Sequence, residues 1–498
     1  MAGIVFPATT DGRRSTAALG RRVVAAALRP VDPAGARAAE QETAWRTSYV
    51  VHFRRLLEAG LTSPESWLGI ATAGLDAVHE HLRIVLADGT EAPLTAASTE
   101  KAARVLQTAE VRGSAEPGEF VLPYRGRELR GDDIRERVVG WVEAGVVEPS
   151  VATAIEAVLA HPEWLRLDGR TVVLLGAGAE MGPLPALLGW GATVAAVDVP
   201  RPAVWERILQ SARRGAGRLL VPVSAIGSDR AEGGDGPEAA DLDRAVLDRA
   251  GADLITEMPA IADWLTGLPG RLVLGNYVYA DGGTHVRVAA AVDALTRRLQ
   301  QDRDDIALAF LATPTDVFAV PGEAVRYATD AYQRRSTTAK LLGRPLRTVT
   351  RGRLLHRAYL PGADPGICDS LVPAQGPNYA LAKRIQRWRA TVARSSGTRV
   401  SFHVAPSTRT RSVVKNRALA AAFAGAHHFG VEVFEPATAN TLMAALLVHD
   451  LHTEPVHHEH PWQDEAFEAA HGGLWRTAYA PRSALGLAAL LGYASSRS

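Results

Sequence analysis

The chain has 498 residues, 47% of them apolar, and carries 55 Lys+Arg against 54 Asp+Glu for a formal net charge of +1. That length suits two or three domains, or one large domain with insertions, and the balanced charge gives no global pull toward nucleic acid or an anionic membrane. A single cysteine, Cys368, excludes an intramolecular disulfide framework and a Cys-based zinc site and fits a reducing compartment.

The opening MAGIVFPATTDGRRSTAALG has no uninterrupted apolar core behind a basic start, so it does not read as a secretory leader. No apolar run approaches the roughly eighteen residues a membrane helix needs. A cytoplasmic protein is expected, without membrane or nucleic-acid partners, and its wealth of Ala, Gly and Arg beside few lysines fits a GC-rich bacterial genome.

Residues 1–160 carry apolar residues at helical spacing in TAWRTSYVVHFRRLLEAG, PESWLGIATAGLDAVHEHLRIVL and GDDIRERVVGWVEAGVVEPSVATAIEAVLA. They predict a mainly helical N-terminal domain with no chemical motif, suited to packing, capping or dimer contacts. From residue 161 to about 440 the pattern becomes short apolar runs alternating with helical ones. Strands are expected at Thr171–Leu175, Ala192–Val197, Arg218–Val223, Ala252–Ile255, Arg271–Leu274, Ile306–Ala312 and Arg399–Val404. Continuous apolar strands between helices predict an α/β class with a Rossmann-like, doubly wound parallel sheet. GSDRAEGGDGPEAADLD, residues 227–243, reads as a mobile polar loop, and about 317–370 as an insertion. Residues 441–498 are expected to form a helical and loop extension over the site.

Gly176-Ala177-Gly178-Ala179-Glu180-Met181-Gly182 follows the first of these strands and precedes a helix expected from Met181 to Leu188. A turn free of side chains lets backbone N–H groups approach a pyrophosphate. Asp198 ends the next strand, where a carboxylate can accept ribose hydroxyls and repel a 2′-phosphate. Gly176, Gly178, Gly182 and Asp198 are therefore candidate cofactor residues. NAD is the expected cofactor; Arg201 close by keeps NADP open.

Tyr327 in TPTDVFAVPGEAVRYATDAY has Ala331 four residues on, whereas Tyr379 in GPNYALAK has Lys383. The lysines are only Lys101, Lys340, Lys383 and Lys415, so this pairing is rare by chance. Positions i and i+4 share a helix face. A free phenol, with a pKa near 10, is a poor base at neutral pH, and an ammonium held nearby lowers it. Tyr379 is the candidate proton donor or acceptor and Lys383 its partner.

With the GTRVSFHVAPSTRT that follows, GPNYALAK resembles the short-chain dehydrogenase/reductase superfamily, over about residues 165–435. The resemblance implies hydride transfer between a nicotinamide and a carbonyl/alcohol substrate, with Lys383 also holding the ribose. It further implies that Pro406 and Thr408 or Thr410 contact the nicotinamide carboxamide. Two family features are missing. Gly366 and Ile367 stand where a serine that polarises the substrate oxygen belongs, which leaves Ser370, Thr313, Thr315 or no residue to serve, with Ser370 the nearest hydroxyl before the tyrosine. ADLITEMPA replaces the family's Asn-Asn-Ala-Gly, and Asn276 is a candidate to supply part of that polar network.

Arg384, Arg387 and Arg389 after the Tyr–Lys pair, and Arg409, Arg411, Lys415 and Arg417 after the proline loop, could cradle a phosphate-bearing substrate such as an acyl thioester on a carrier. HDLHTEPVHHEHPW, with His449, His452, His457, His458 and His460, lacks an ordered ligand spacing, so a polar loop is expected there and no metal. A homo-oligomer acting on a small molecule is expected. A lyase, dehydratase or epimerase on the same scaffold, or a dinucleotide sensor, remain alternatives.

Overall fold

Strands with apolar residues at every position have no face to give to water, so helices must cover both sides. Arg170–Leu175, RTVVLL, is such a strand, buried from Thr171 onward. In the computed structural model, which describes residues 3–8, 12–86, 88–224, 246–336, 350 and 354–495, it lies centrally in a seven-stranded sheet. The loop expected at 227–243 lies outside the described residues, as do 337–349 and 351–353 of the expected insertion.

In chain order the strands of this sheet are β1 (Leu106–Arg112), β2 (Arg170–Leu175), β3 (Thr193–Val197), β4 (Arg218–Ser224), β5 (Arg271–Asn276), β6 (Ile306–Ala312) and β7 (Val400–Val404). Their spatial order is β7-β6-β5-β2-β3-β4-β1. All neighbours pair in parallel except β1, which runs antiparallel to β4. The chain steps outward from β2 to β4 and then crosses to the other side of β2 for β5, β6 and β7. Leu175 is opposite both Val197 and Asn276, so β2, β3 and β5 end level beside the crossing point, while β6, with Phe310 opposite Asn276, runs two residues further.

Alternate residues serve two cores. Val173, Leu175, Leu274, Phe310 and Phe402 join one with the N-terminal helices and the helices Gly283–Asp302 and Gly376–Ser395. Val172, Leu174, Val273, Ala309 and Leu311 join the other with Pro149–Ala160, Pro202–Arg214 and Pro436–His452. The result is a mixed α/β protein with helices on both faces of a mostly parallel sheet. Among the described residues no helix is long and apolar enough to cross a membrane.

Three elements differ from the sequence expectation. Residues 252–255 are not a strand: Asp253 accepts the Ile255 amide at 2.8 Å and caps the helix Leu254–Thr266. The largely helical N-terminal region contributes β1, whose mostly exposed LQTAEVR suits an edge strand. The helix after the glycine turn starts only at Leu184 and spans Leu184–Gly189. The region expected as an insertion holds a short antiparallel pair, Val317–Val320 with Gly366–Asp369, and the helix Gly322–Gln333.

Candidate active site

The glycine turn sits where close approach demands it. Gly176 has φ +80°, a region L side chains rarely adopt, and a Cβ there would come within 3.0 Å of the Val278 backbone. At Gly178 a Cβ would press on Val204 at 2.8 Å and on Asp198 at 3.2 Å. Asp198 accepts the Gly178 amide at 2.8 Å through one oxygen and the Val199 amide at 2.8 Å through the other. Its first task is thus to fix the turn, and burial outweighs these bonds and raises its pKa. Each carboxylate oxygen keeps a second lone-pair direction for a ligand hydroxyl. Arg201 is exposed. Gly182 closes the turn through its amide on Ala179 O, 3.0 Å. With the following helix so short and begun after Gly182, the loop amides rather than a helix dipole are what the turn can offer an anion.

The turn abuts Tyr277–Val278 just past β5, and that segment leads to the second half of the site. Gly376–Ser395 is a helix, as expected, and puts Tyr379 and Lys383 on one face. It is buried on most sides: it packs against Pro64–His81, where Gly74 leaves room for the Trp388 ring, and against Gly283–Asp302. Lys383 Nζ donates to Leu311 O of β6 at 3.3 Å and to Gln386 Oε1 at 3.2 Å, and Gln386 in turn donates to Asn276 Oδ1 at the end of β5, 3.3 Å. The Thr313 hydroxyl, one residue past β6, lies close enough to the Tyr379 phenol to pull its pKa down.

Both residues keep some area in water, yet burial governs both titrations. It pushes the Tyr379 phenol up to about 12, against the opposing effect of the Thr313 hydroxyl, and lowers Lys383 to about 8. The expected lowering of Tyr379 by Lys383 is not what this geometry produces, because the ammonium turns to Leu311 and Gln386. Between the two lies His285, which the sequence reading missed. Its ring centroid is 5.5 Å from that of Tyr379 and 5.3 Å from that of Tyr279. Burial first and the Lys383 charge second hold His285 down near 3, so the imidazole is neutral. Only 1% of it is exposed, and among the described residues neither ring nitrogen has a well-formed hydrogen bond.

Ser370 does not join this group. Its buried hydroxyl lies 2.6 Å from Pro314 O and 2.7 Å from Asp316 O, and so pins the loop after β6. Thr313 and Thr315 are 2.9 Å apart, Oγ1 to Oγ1, and Thr313 is the hydroxyl at the phenol. Tyr327 packs beside Gly145 and Arg476 and donates to Glu143 O at 3.3 Å. Past β7, Thr408 is buried and donates to Pro406 O at 2.9 Å, while Thr410 pairs with Ser412 at 3.0 Å. This loop reaches the glycine turn, where the Arg411 amide donates to Glu180 at 2.9 Å.

The first basic cluster is internal rather than a phosphate cradle. Arg384 and Arg387 grip Asp316 at 2.8 and 2.7 Å, Arg387 also holds Glu465 at 2.5 Å, and Arg389 holds Asp293 at 2.6 Å. Buried guanidinium groups need such partners. Arg409, Arg411, Lys415 and Arg417 are exposed, with no ion pair among the described residues.

The histidine-rich stretch is not a loop at its start: His449, Asp450 and His452 are the last turn of Pro436–His452. His403 of β7 pairs with Asp450 at 2.9 Å, and His449 lies 3.1 Å from Glu468. His403, Asp450 and Glu468 bring ligand-type atoms within 4.8 Å of one another. Burial opposes the charge on His449, but contacts to Asp450 and Glu468 outweigh it and carry its pKa to about 9. A raised histidine pKa stabilises the fold fully below the unfolded value near 6.5 and loses that contribution as pH rises through the folded value. Thermal stability is therefore expected to decline between about pH 6.5 and 9, and less steeply in His449→Gln; parallel melting profiles for the two proteins would exclude this pairing as the cause.

Comparison with protein-family models, curated proteins and solved structures finds no match.

Proposed function

We propose that the protein is a nicotinamide-dinucleotide-dependent oxidoreductase of short-chain dehydrogenase/reductase type, acting on a carbonyl/alcohol pair. The observation that carries this reading is the convergence of Tyr379, Lys383 and Thr313 at the ends of β5 and β6, beside the glycine turn. In support, the six parallel strands taken alone in chain order lie 3-2-1-4-5-6, and in sheets of that order dinucleotides bind where the order reverses.

The residues present fit such a cofactor. Glycine at 176 and 178 lets the turn pack tightly on the Val278 backbone, Val204 and Asp198, and each Asp198 oxygen keeps a lone pair for a ribose hydroxyl. Gly176, Gly178, Gly182 and Asp198 would hold the adenosine and pyrophosphate, and Pro406, Thr408 and Thr410 the nicotinamide side. When bound, the nicotinamide supplies or takes the hydride. Lys383, cationic at neutral pH, has a third N–H for a ribose hydroxyl. Tyr379, with its phenol near 12, stays protonated beside the Thr313 hydroxyl, which suits a group that donates its proton to an alkoxide as it forms. The site is thus set for carbonyl reduction, with Thr313 in the role expected of Ser370.

The test is loss of reduced-nicotinamide absorbance with NADH or NADPH over a panel of aldehydes and ketones, together with dinucleotide binding by calorimetry. Thr313→Val should lower kcat by roughly 10²- to 10³-fold, the worth of one preorganised donor, while Ser370→Ala lowers melting temperature and leaves kcat near wild type. The opposite ranking returns the role to Ser370. Failure to bind either dinucleotide overturns the proposal, and binding with isomerisation but no net oxidation moves the protein to the epimerase or lyase class.

A further inference from the structure

In β7, Ser401 and His403 are level with Ala309 and Leu311, so their side chains leave the sheet on the face covered by Pro436–His452, opposite the Tyr379 helix. A histidine buried at such a position needs polar partners. Two other segments bring them. His403 Nε2 lies 2.9 Å from Asp450, in the last turn of Pro436–His452, and His403 Nδ1 lies 3.8 Å from Glu468, in the turn that follows the helix Pro461–Ala466. His449 Nδ1 is 3.1 Å from the other oxygen of Glu468.

These groups are close together but poorly paired. His403 is 4% and Glu468 1% exposed, and among the described residues neither His403 Nδ1 nor Glu468 Oε2 has a hydrogen-bond partner. The 3.8 Å between these two atoms is too long for a hydrogen bond. It fits two ligands of one ion, since donors about 2.0–2.2 Å from a metal stand roughly 3–4 Å apart. With Asp450 included, one ligand-type atom from each of three residues lies within 4.8 Å of the other two. Protonated histidines could balance the two carboxylates, yet they would leave Nδ1 and Oε2 without partners, whereas a cation takes up both lone pairs. The C-terminal end of Pro436–His452 adds the negative pole of its dipole, and the Asp450 side chain, 20% exposed, leaves a way in. Glu468 also holds φ +54°, a backbone region that non-glycine residues rarely adopt away from functional sites.

We propose that His403, Asp450 and Glu468 bind one divalent first-row transition-metal ion, with His449 at the second Glu468 oxygen. The ion ties the edge strand β7 to the end of Pro436–His452 and to the turn at Glu468. An imidazole beside two carboxylates suits Zn²⁺ or Mn²⁺, whereas Mg²⁺ and Ca²⁺ favour shells of oxygen alone. Lying across the sheet from the Tyr379 helix, the site needs no dinucleotide.

The full chain, stripped with EDTA and desalted, is titrated by calorimetry with ZnCl₂ and separately with MnCl₂, and its melting temperature is followed. At least one of the two ions should bind at one equivalent with Kd below about 10 µM and raise the melting temperature, as a ligand of the folded state does, while about 1 mM MgCl₂ does neither. His403→Gln and Glu468→Gln should each weaken that binding by at least about 100-fold, beyond the roughly 10- to 100-fold that loss of an outer partner costs. His457→Gln, at an exposed position of the same histidine-rich stretch, should leave it unchanged. Absence of binding at one equivalent by either ion would overturn the proposal and leave the cluster a network of charges. Binding that persists in the folded Gln variants would overturn it too, as adventitious capture by surface histidines. Should one Gln variant fail to fold, the other and Asp450→Asn, at the more exposed ligand, decide by the same 100-fold criterion.

Discussion

Tyr379→Phe is expected to cut kcat by roughly 10²- to 10⁴-fold, the usual contribution of a positioned proton donor, while dinucleotide affinity stays near wild type. Only the phenolic oxygen is removed. The ring keeps its contacts with His285 and Tyr279, at centroid distances of 5.5 and 6.5 Å, so the helix and its packing should persist. Lys383→Met should act differently and raise the dinucleotide Kd, because the ammonium is assigned to the ribose. Its pKa of about 8 gives a second signature. The ammonium is populated below that pH and lost above it, so dinucleotide affinity should fall as pH passes 8 in the wild type and stay flat in Lys383→Met. Tyr327→Phe is the control and should be mild, since its hydroxyl reaches only Glu143 O and its ring packs near Arg476. A dead Tyr327→Phe beside an active Tyr379→Phe would move the chemistry to the other helix.

What could be read from the sequence is what is local. The glycine turn lies between one apolar strand and the next, and Tyr379 and Lys383 are one helical turn apart, so short-range periodicity suffices to place them. Most of the β2-to-β7 strands were legible for the same reason. The failures come from distant partners. Arg384, Arg387 and Arg389 have the sequence pattern of a solvated basic face, but their helix is wrapped by Pro64–His81 and Gly283–Asp302 and their charges meet Asp316, Glu465 and Asp293. His285 begins a helix far from Tyr379 in the chain, and nothing in its neighbourhood marks it as facing the phenol. The short run at Ala252–Ile255 is too brief to separate strand from helix by apolar content, though Asp253 within it was a usable cap signal. Ser370 lay at the more familiar sequence distance from Tyr379, and only the folded geometry shows its hydroxyl on the carbonyls of Pro314 and Asp316.

Gly178→Val is expected to abolish measurable dinucleotide binding, by at least about 100-fold in Kd, because its side chain would displace Val204 and Asp198 and so distort the turn whose amides are assigned to the pyrophosphate. The variant also has a structural cost that must be separated from this effect. Its Cβ would press on Val204 at 2.8 Å, and its own amide is bonded to Asp198 at 2.8 Å, so some destabilisation by overpacking is expected, about 1–3 kcal/mol. Adding Val204→Ala opens room on that side, since the contact is with the end of a side chain and not with backbone. The double variant should therefore recover melting temperature and still fail to bind. If affinity returns along with stability, Gly178 serves packing alone and the cofactor lies elsewhere. Asp198→Asn completes the argument: the amide keeps one acceptor oxygen for the turn but loses the charge that repels a 2′-phosphate. It should narrow any preference for NAD over NADP and lower the melting temperature, since one of the two amides held by Asp198 loses its acceptor, whereas a wild type that already prefers NADP would assign the exposed Arg201, rather than Asp198, as the residue that reads the adenosine ribose.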